Sequence, residues 1–146
     1  MKKLLLATAA AALTAGTAGA EEVKLGLLIG FTGPIESLAP AMAAASELAA
    51  KEVSDSGKLL DGSTITMVRA DSTCTDAAVA QAAGEKLVTG DGVKGIVGAD
   101  CSGVTGAVLS NVAVPNGIVM VSPSATSPAL STAEDNGLFF RTAPSD

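Results

Sequence analysis

The stretch VKLGLLIG, residues Val23 to Gly30, decides the fold of this 146-residue chain. It is a mostly apolar run that ends in glycine, which predicts a buried strand. Downstream of it, further short apolar runs alternate with segments whose apolar residues recur at helical spacing. Such alternation is typical of parallel β-α-β units with right-handed connections. The sequence therefore predicts an α/β domain with an open, mostly parallel, doubly wound sheet.

Four more strands and three helices are expected after this run. The further strands are predicted over residues 64–70, 95–98, 117–121 and 138–142. The first helix carries its apolar residues at Leu38, Met42, Ala45, Ala49 and Val53. Asp76 is expected to cap a second helix that runs to Val88 and turns four residues toward the core, namely Val79, Ala82, Ala83 and Leu87. Ser102 opens the third helix and Pro115 stops it, and a turn of helix is possible at Pro128.

The first twenty residues have the pattern of a secretory signal peptide. Lys2 and Lys3 precede a short apolar run over residues 4–13, and Ala18-Gly19-Ala20 is a small-residue cleavage site. The alternative is a membrane anchor, which needs about 20 apolar residues and is therefore less favoured. The predicted organisation is a signal peptide over residues 1–20 and one exported domain over residues 21–146.

Composition excludes several classes of function. Nine basic and fifteen acidic residues give a net charge of −6, which disfavours nucleic acid as a partner because phosphate contacts need Lys and Arg. The chain has no His, so this segment supplies no Ser-His-Asp triad and no His-based metal site. The GxGxxG match at residues 90–95 follows a predicted helix rather than a strand, which disfavours a nucleotide site. We expect no enzyme, no cofactor and no metal.

Cys74 and Cys101 each lie just after a predicted parallel strand. If the strand order begins 2-1-3, their loops flank the first strand at the same end of the sheet. In an exported chain, two cysteines in such positions favour one disulfide. Two buried free thiols are the alternative.

Two polar loops are expected at the carboxyl edge of the sheet, where ligands of such folds bind. Ser102 begins a helix directly after a strand, and its amides and hydroxyl, with that of Thr105, suit an anionic group such as a carboxylate. The alternative for Ser102 is ordinary N-capping of that helix. The second loop, residues 122–126, contains Ser124 and Thr126. Convergence of the two loops predicts a site for a small ligand.

At these residues the chain resembles the solute-binding proteins of branched-chain amino acid ABC transporters, the leucine-binding-protein type. Its landmarks are Val23-Lys24-Leu25-Gly26, Thr32-Gly33-Pro34, Asp71 with Cys74, Gly98 with Cys101-Ser102, Ile118 to Pro123, Ala125-Thr126 and Phe140-Arg141-Thr142. The resemblance covers essentially all of residues 21–146. It implies the N-terminal lobe of a type I periplasmic binding fold, with the second lobe absent and this lobe incomplete.

The resemblance also implies specific roles. It places a disulfide at Cys74 and Cys101, and contacts to a ligand carboxylate at Ser102, Ser124 and Thr126. Family members usually carry Tyr in the first loop near Leu38, where this chain differs. The implied partners are a small solute, such as an amino acid or related carboxylate, and a membrane permease, with a periplasmic location.

The expected function is therefore solute capture for an ABC permease. The alternatives are a ligand-sensing regulatory domain of the same fold and a secreted α/β hydrolase-like enzyme. The hydrolase would need a base and usually a Gly-x-Ser-x-Gly motif, and the chain lacks both that motif and His. Because the strand near residue 140 leads to a turn and an N-cap at the chain end, we expect a longer parent protein that is more stable and binds more tightly.

Overall fold

A five-stranded parallel sheet forms the centre of the domain. The computed structural model describes residues 19–59 and 62–146, so the predicted signal peptide lies, up to residue 18, outside the described residues. The strand order is β2-β1-β3-β4-β5, which confirms the expected 2-1-3 beginning. The strands are β1 Glu22–Ile29, β2 Thr64–Asp71, β3 Gly95–Gly98, β4 Val119–Ser122 and β5 Phe139–Arg141.

Helices connect the first four strands. They are α1 Ala39–Asp55, α2 Ala77–Glu85, α3 Ser102–Val108 and α4 Val114–Asn116. A π-helical turn over Lys86–Gly90 continues α2, another over Leu109–Ala113 joins α3 to α4, and a 3₁₀ turn over Pro128–Ser131 precedes β5. Within residues 19–59 and 62–146, no helix has the length and apolar character needed to cross a membrane.

Two local signals set helix ends near their predicted places. The Asp76 carboxylate accepts hydrogen bonds from the amides of Ala78 and Val79, which confirms the predicted cap of α2. The third helical segment runs one residue past Pro115, because Gly117 supplies the left-handed backbone (φ 65°) that ends it. For the same reason β4 begins at Val119 rather than at Gly117.

Side chains of β1 alternate between the two faces of the sheet. Leu28 packs with residues of the α2 and α3 layer, including Leu87 and Val108. Leu27 and Ile29 point the other way and pack on the start of α1. Helices therefore cover β1 from both sides, as a doubly wound sheet requires.

The predicted inward faces of the first two helices are partly wrong. Val79 is 44% exposed, whereas Ala80 and Leu87 are buried. Leu38, which precedes α1, and Val53 within α1 are exposed, and Ala39, Ala43 and Ala50 are buried instead. These alanine-rich helices are apolar on several faces, so apolar spacing alone does not select one. In α2 the choice follows from close packing, since a Cβ on Gly84 would lie 3.1 Å from Val108 Cγ1.

Cover on the α1 side of the sheet is incomplete. Two adjoining grooves share Leu25 and Val97, and one of them extends over Val119 and Val121. We call these four residues the apolar strip. The sheet is open and doubly wound as predicted, but β3 and β4 are not fully covered on this side.

Candidate functional site

The loops that follow the parallel strands meet at the carboxyl edge of the sheet. Residues 30–38 form the first loop after β1, and residues 72–76 follow β2. Residues 99–101 connect β3 to α3, and residues 123–127 follow β4. Four neighbouring loops therefore meet at this edge, where two polar loops were expected, and Ser102 and Thr105 lie in the first turn of α3.

A disulfide between Cys74 and Cys101 joins two of these loops. The Cα atoms are 5.2 Å apart, and 27 positions separate the cysteines in sequence. This confirms the predicted pairing and excludes free thiols at these positions. Closing a loop of this length stabilises the fold by about 3–4 kcal/mol in the chain-entropy model.

Asp100 lies beneath these loops and was not identified from the sequence. Its side chain is 3% exposed, and one carboxylate oxygen accepts a hydrogen bond from the Gly30 amide at 2.7 Å. The other oxygen accepts from Ser72 Oγ at 3.0 Å and from the Cys101 amide at 3.1 Å. Its position after a buried strand was the only signal in the sequence, because Gly30 and Ser72 lie 70 and 28 residues away in the chain.

Ser102, at the start of α3, is hydrogen-bonded to the loop that follows β4. Its hydroxyl oxygen accepts hydrogen bonds from the amides of Thr126 and Ser127, both at 3.1 Å. Cys101, not Ser102, is the N-cap residue of α3, and no side chain caps that helix. The capping alternative for Ser102 is therefore wrong. With both lone pairs used, the hydroxyl proton of Ser102 remains available for donation.

The hydroxyl of Thr126 is already hydrogen-bonded to a carboxylate. Thr126 Oγ1 donates to the Asp146 carboxylate at 2.8 Å, and the Asp146 amide donates to the Thr126 carbonyl at 3.0 Å. Ser124 is exposed, and its Oγ donates to the carbonyl of Asp100 at 2.7 Å. These two hydroxyls face the same edge as Ser102 but have different partners.

Two other residues singled out from the sequence lie in different surroundings. Thr105 is 0% exposed, and its hydroxyl donates to the carbonyls of Ala99 and Cys101 at 3.0 and 2.9 Å. Its side chain therefore serves packing beneath the site. Leu38 precedes α1 at the end of the first loop and is 57% exposed.

Arg141, at the end of β5, is hydrogen-bonded to the loop that follows β4. Its guanidinium donates to the carbonyls of Ala125 and Ser127 at 3.3 and 3.0 Å, and also bonds the hydroxyl of Ser131. The amides of Thr126 and Ser127 in the same loop donate to Ser102 Oγ instead.

Asp71 orders the first loop. Its carboxylate accepts from Thr32 Oγ1 at 2.5 Å, from the Thr32 amide at 3.3 Å and from the Thr73 amide at 2.8 Å. Burial raises the pKa of Asp71, but the hydrogen bonds from Thr32, Thr73 and Phe31 outweigh that effect and leave the pKa below its ordinary value. Among the residues that the structure describes, no group of three or more His, Cys, Asp or Glu side chains could bind a metal ion.

Comparison with known proteins identifies the family of this chain. A family model described as "Periplasmic binding protein" matches residues 22–146. The chain is 31% identical over 144 residues to the Leu/Ile/Val-binding protein of Escherichia coli K12 and spans 38% of that protein's length. It is 32% identical over 128 residues to a Leu/Ile/Val-binding protein of Rhizobium johnstonii, covering 88% of this chain and 34% of that protein.

Solved structures share the fold. The substrate-binding protein LivJ of Streptococcus pneumoniae, in complex with isoleucine, superposes with a TM-score of 0.75 at 29% identity, covering 85% of this chain and 34% of that one. A solute-binding protein of R. palustris in complex with benzoate gives a TM-score of 0.73 at 28% identity, covering 87% of this chain and 33% of that one. This chain thus spans roughly a third of the length of these relatives. It belongs to the periplasmic binding protein family and has the leucine-binding-protein type of lobe.

Proposed function

We propose that this chain is part of the extracytoplasmic solute-binding component of an ABC transporter. The proposed ligand is a small solute with a carboxylate, such as an amino acid or a related acid. The carboxylate binds at the carboxyl edge beside Ser102, Ser124 and Thr126, and the solute is delivered to a membrane permease. Leu38 contacts the apolar part of the solute.

The arrangement of Ser102 is the observation that carries this proposal. Its two accepted bonds orient the hydroxyl so that the proton points away from the Thr126 and Ser127 amides. The side chain of Ser102 is only partly buried, so this donor can be reached from the carboxyl edge. A partly exposed hydroxyl with an unused donor suits an anionic acceptor.

The contact between Thr126 and Asp146 supports the same chemistry. A carboxylate is already hydrogen-bonded to this hydroxyl, so the position tolerates the charge and shape of such a group. The relatives named above were solved with isoleucine and with benzoate, two molecules whose shared features are a carboxylate and an apolar body. The proposal therefore concerns carboxylates as a class.

The direct test compares acids with their neutral amides on the mature exported protein. Isoleucine and benzoate are tested against isoleucinamide and benzamide by thermal shift and calorimetry. At a concentration of 100 times Kd, a bound acid should stabilise the protein by about 2.7 kcal/mol, whereas the amides should have little effect. The solute should be recovered unchanged. Equal effects of acid and amide, or conversion of the solute, would overturn the proposal.

A second measurement tests the proposed periplasmic location. The pattern of Lys2-Lys3, the apolar run over residues 4–13 and Ala18-Gly19-Ala20 supports cleavage after Ala20. Intact-mass analysis of the exported protein should give an N-terminus at Glu21. Recovery of exported protein that still begins at Met1 would contradict this prediction.

A further inference from the structure

The buried carboxylate of Asp100 contacts more loops of the candidate site than any polar group discussed above. Its two oxygens accept from Gly30 on the loop after β1, Ser72 on the loop after β2 and the adjacent Cys101. Its main-chain carbonyl accepts from Ser124 Oγ on the loop after β4. One residue thus connects four loops that belong to different strands.

The surroundings of Asp100 are built for a carboxylate. All three side-chain partners are donors, so the ionised form satisfies each of them. Packing at the β1 end is tight, since a Cβ on Gly30 would lie 3.3 Å from the nearer carboxylate oxygen and 3.4 Å from Cys74 Cβ. A glycine at position 30 lets the amide approach the buried oxygen to 2.7 Å.

The bond to Gly30 fixes where the first loop begins. The next residues of that loop are held separately, because Phe31 N bonds the Ile29 carbonyl and Thr32 bonds Asp71. Without the bond from Gly30, the side-chain contacts named here that hold the first loop would be those of Thr32 with Asp71, at the end of β2. The loop would then lose its direct connection to the segment that carries Ser102.

We propose that Asp100 is a positioning residue for the solute site. It does not touch the solute. Its carboxylate sets the first loop, including Leu38, at a fixed distance from Ser102 and Ser124. This inference rests on the proposed function, because positioning has meaning only if a solute binds between those loops.

The decisive variant is Asp100→Asn, which keeps the shape of the side chain. The Asn side chain can turn its oxygen toward Gly30 or toward Cys101, but in either orientation its nitrogen faces one of these two backbone amides, and two donors cannot bond each other. The variant therefore cannot keep both the connection to the first loop and the bond to Cys101. Ser72→Ala is a second variant that removes one partner while leaving the carboxylate in place.

Two readouts distinguish positioning from general stability. Hydrogen exchange in the solute-free mature protein should accelerate at least tenfold in peptides covering residues 27–38 of Asp100→Asn, with much smaller changes in the strands. Affinity for the best carboxylate of the acid panel should fall at least fivefold. Asp55→Asn, an exposed acidic residue paired with Lys51 at the far end of α1, is the matched control and should change neither.

Each outcome of these experiments either supports or overturns the positioning role of Asp100. Unchanged exchange in residues 27–38, or faster exchange with wild-type affinity, would overturn the positioning role while leaving the proposed function intact. If Asp100→Asn does not fold, Ser72→Ala must show the same two effects to a smaller degree, and wild-type values in both would overturn the role. If the wild-type protein binds no acid in the panel, the proposed function fails and the positioning role fails with it.

Discussion

The carboxylate of Asp71 illustrates how one side chain can order a loop at the edge of the site. It accepts three hydrogen bonds, from the amide and hydroxyl of Thr32 and from the amide of Thr73. Thr73 and the following Cys74 have positive φ values of 56° and 69°, a region that costs energy for residues other than glycine. The bonds to Asp71 help offset that cost, so the ionised form should favour the folded protein.

A dependence on pH follows from Asp71. Because its pKa is lower in the folded than in the unfolded protein, the ionised carboxylate contributes stability above about pH 4. That contribution is lost as pH falls through the lowered folded pKa. Urea denaturation of wild type and Asp71→Asn between pH 7 and pH 2.5 should show a stability difference that shrinks below pH 4. A difference that stays constant over this range would contradict the assignment.

The sequence located some of the site residues and missed others for a physical reason. Ser102 and Thr126 follow strands, and in a parallel sheet that position alone brings them to one edge. Asp100 has the same position, but its role depends on Gly30, which is 70 residues away. A hydrogen bond over such a separation leaves no periodic signal in the chain.

Among the secondary-structure elements, β3 is the one most restricted by its neighbours. It lies between β1 and β4, and its last residue, Gly98, has φ 131°. A Cβ on Gly98 would lie 2.0 Å from the carbonyl oxygen of Leu28. Only glycine fits this end of the strand, which lies two residues before Asp100 and four before Ser102.

A pair of glycine substitutions tests this account of β3. Gly98→Ala should destabilise the protein by about 2 kcal/mol or more, because the new methyl group must push β1 and β3 apart. Gly103→Ala, at an exposed helical position with open space, should stabilise it by up to about 1 kcal/mol. The free energy of unfolding in urea measures both. Equal effects of the two substitutions would show that the end of β3 is not restricted as described.

The disulfide gives a second prediction about the connections between elements. The double variant Cys74→Ser/Cys101→Ser should lose about 3–4 kcal/mol of unfolding free energy in the chain-entropy model. Wild-type protein treated with a reductant should lose a similar amount, whereas the double variant should be unaffected by the reductant. A loss below about 1 kcal/mol would mean that the hydrogen bonds of Asp100 alone fix the two loops.

Strand and helix order could be predicted from the chain, but the helix faces could not. The strand signals are short apolar runs, and the predicted and observed strands overlap in every case. Leu38 was misplaced because it precedes α1, whose buried face is formed by Ala39, Ala43 and Ala50. Val79 was misplaced because the alanine-rich α2 presents several apolar faces, and the packing of Gly84 on Val108 decides between them. Such packing depends on a partner helix that periodicity within one helix does not report.

Considered as a whole, the domain is a lobe with one open side and one polar edge. The apolar strip of Leu25, Val97, Val119 and Val121 lies on the α1 side, away from the polar loops at the carboxyl edge. The matched part of this chain spans only about a third of the length of its relatives. The polar edge alone carries the groups proposed to bind the solute.

The most direct measurement is the affinity of the mature exported protein for an acid and its amide, in wild type and in Ser102→Ala. The lost charge-assisted hydrogen bond should cost roughly 1.5–3 kcal/mol, or about ten- to over a hundredfold in affinity for the acid. Affinity for the amide should change much less, so the preference for the acid should shrink. Ser56→Ala, an exposed serine beyond α1, should leave both affinities unchanged. Wild-type affinity and preference in Ser102→Ala would contradict the assignment of this edge as the carboxylate site.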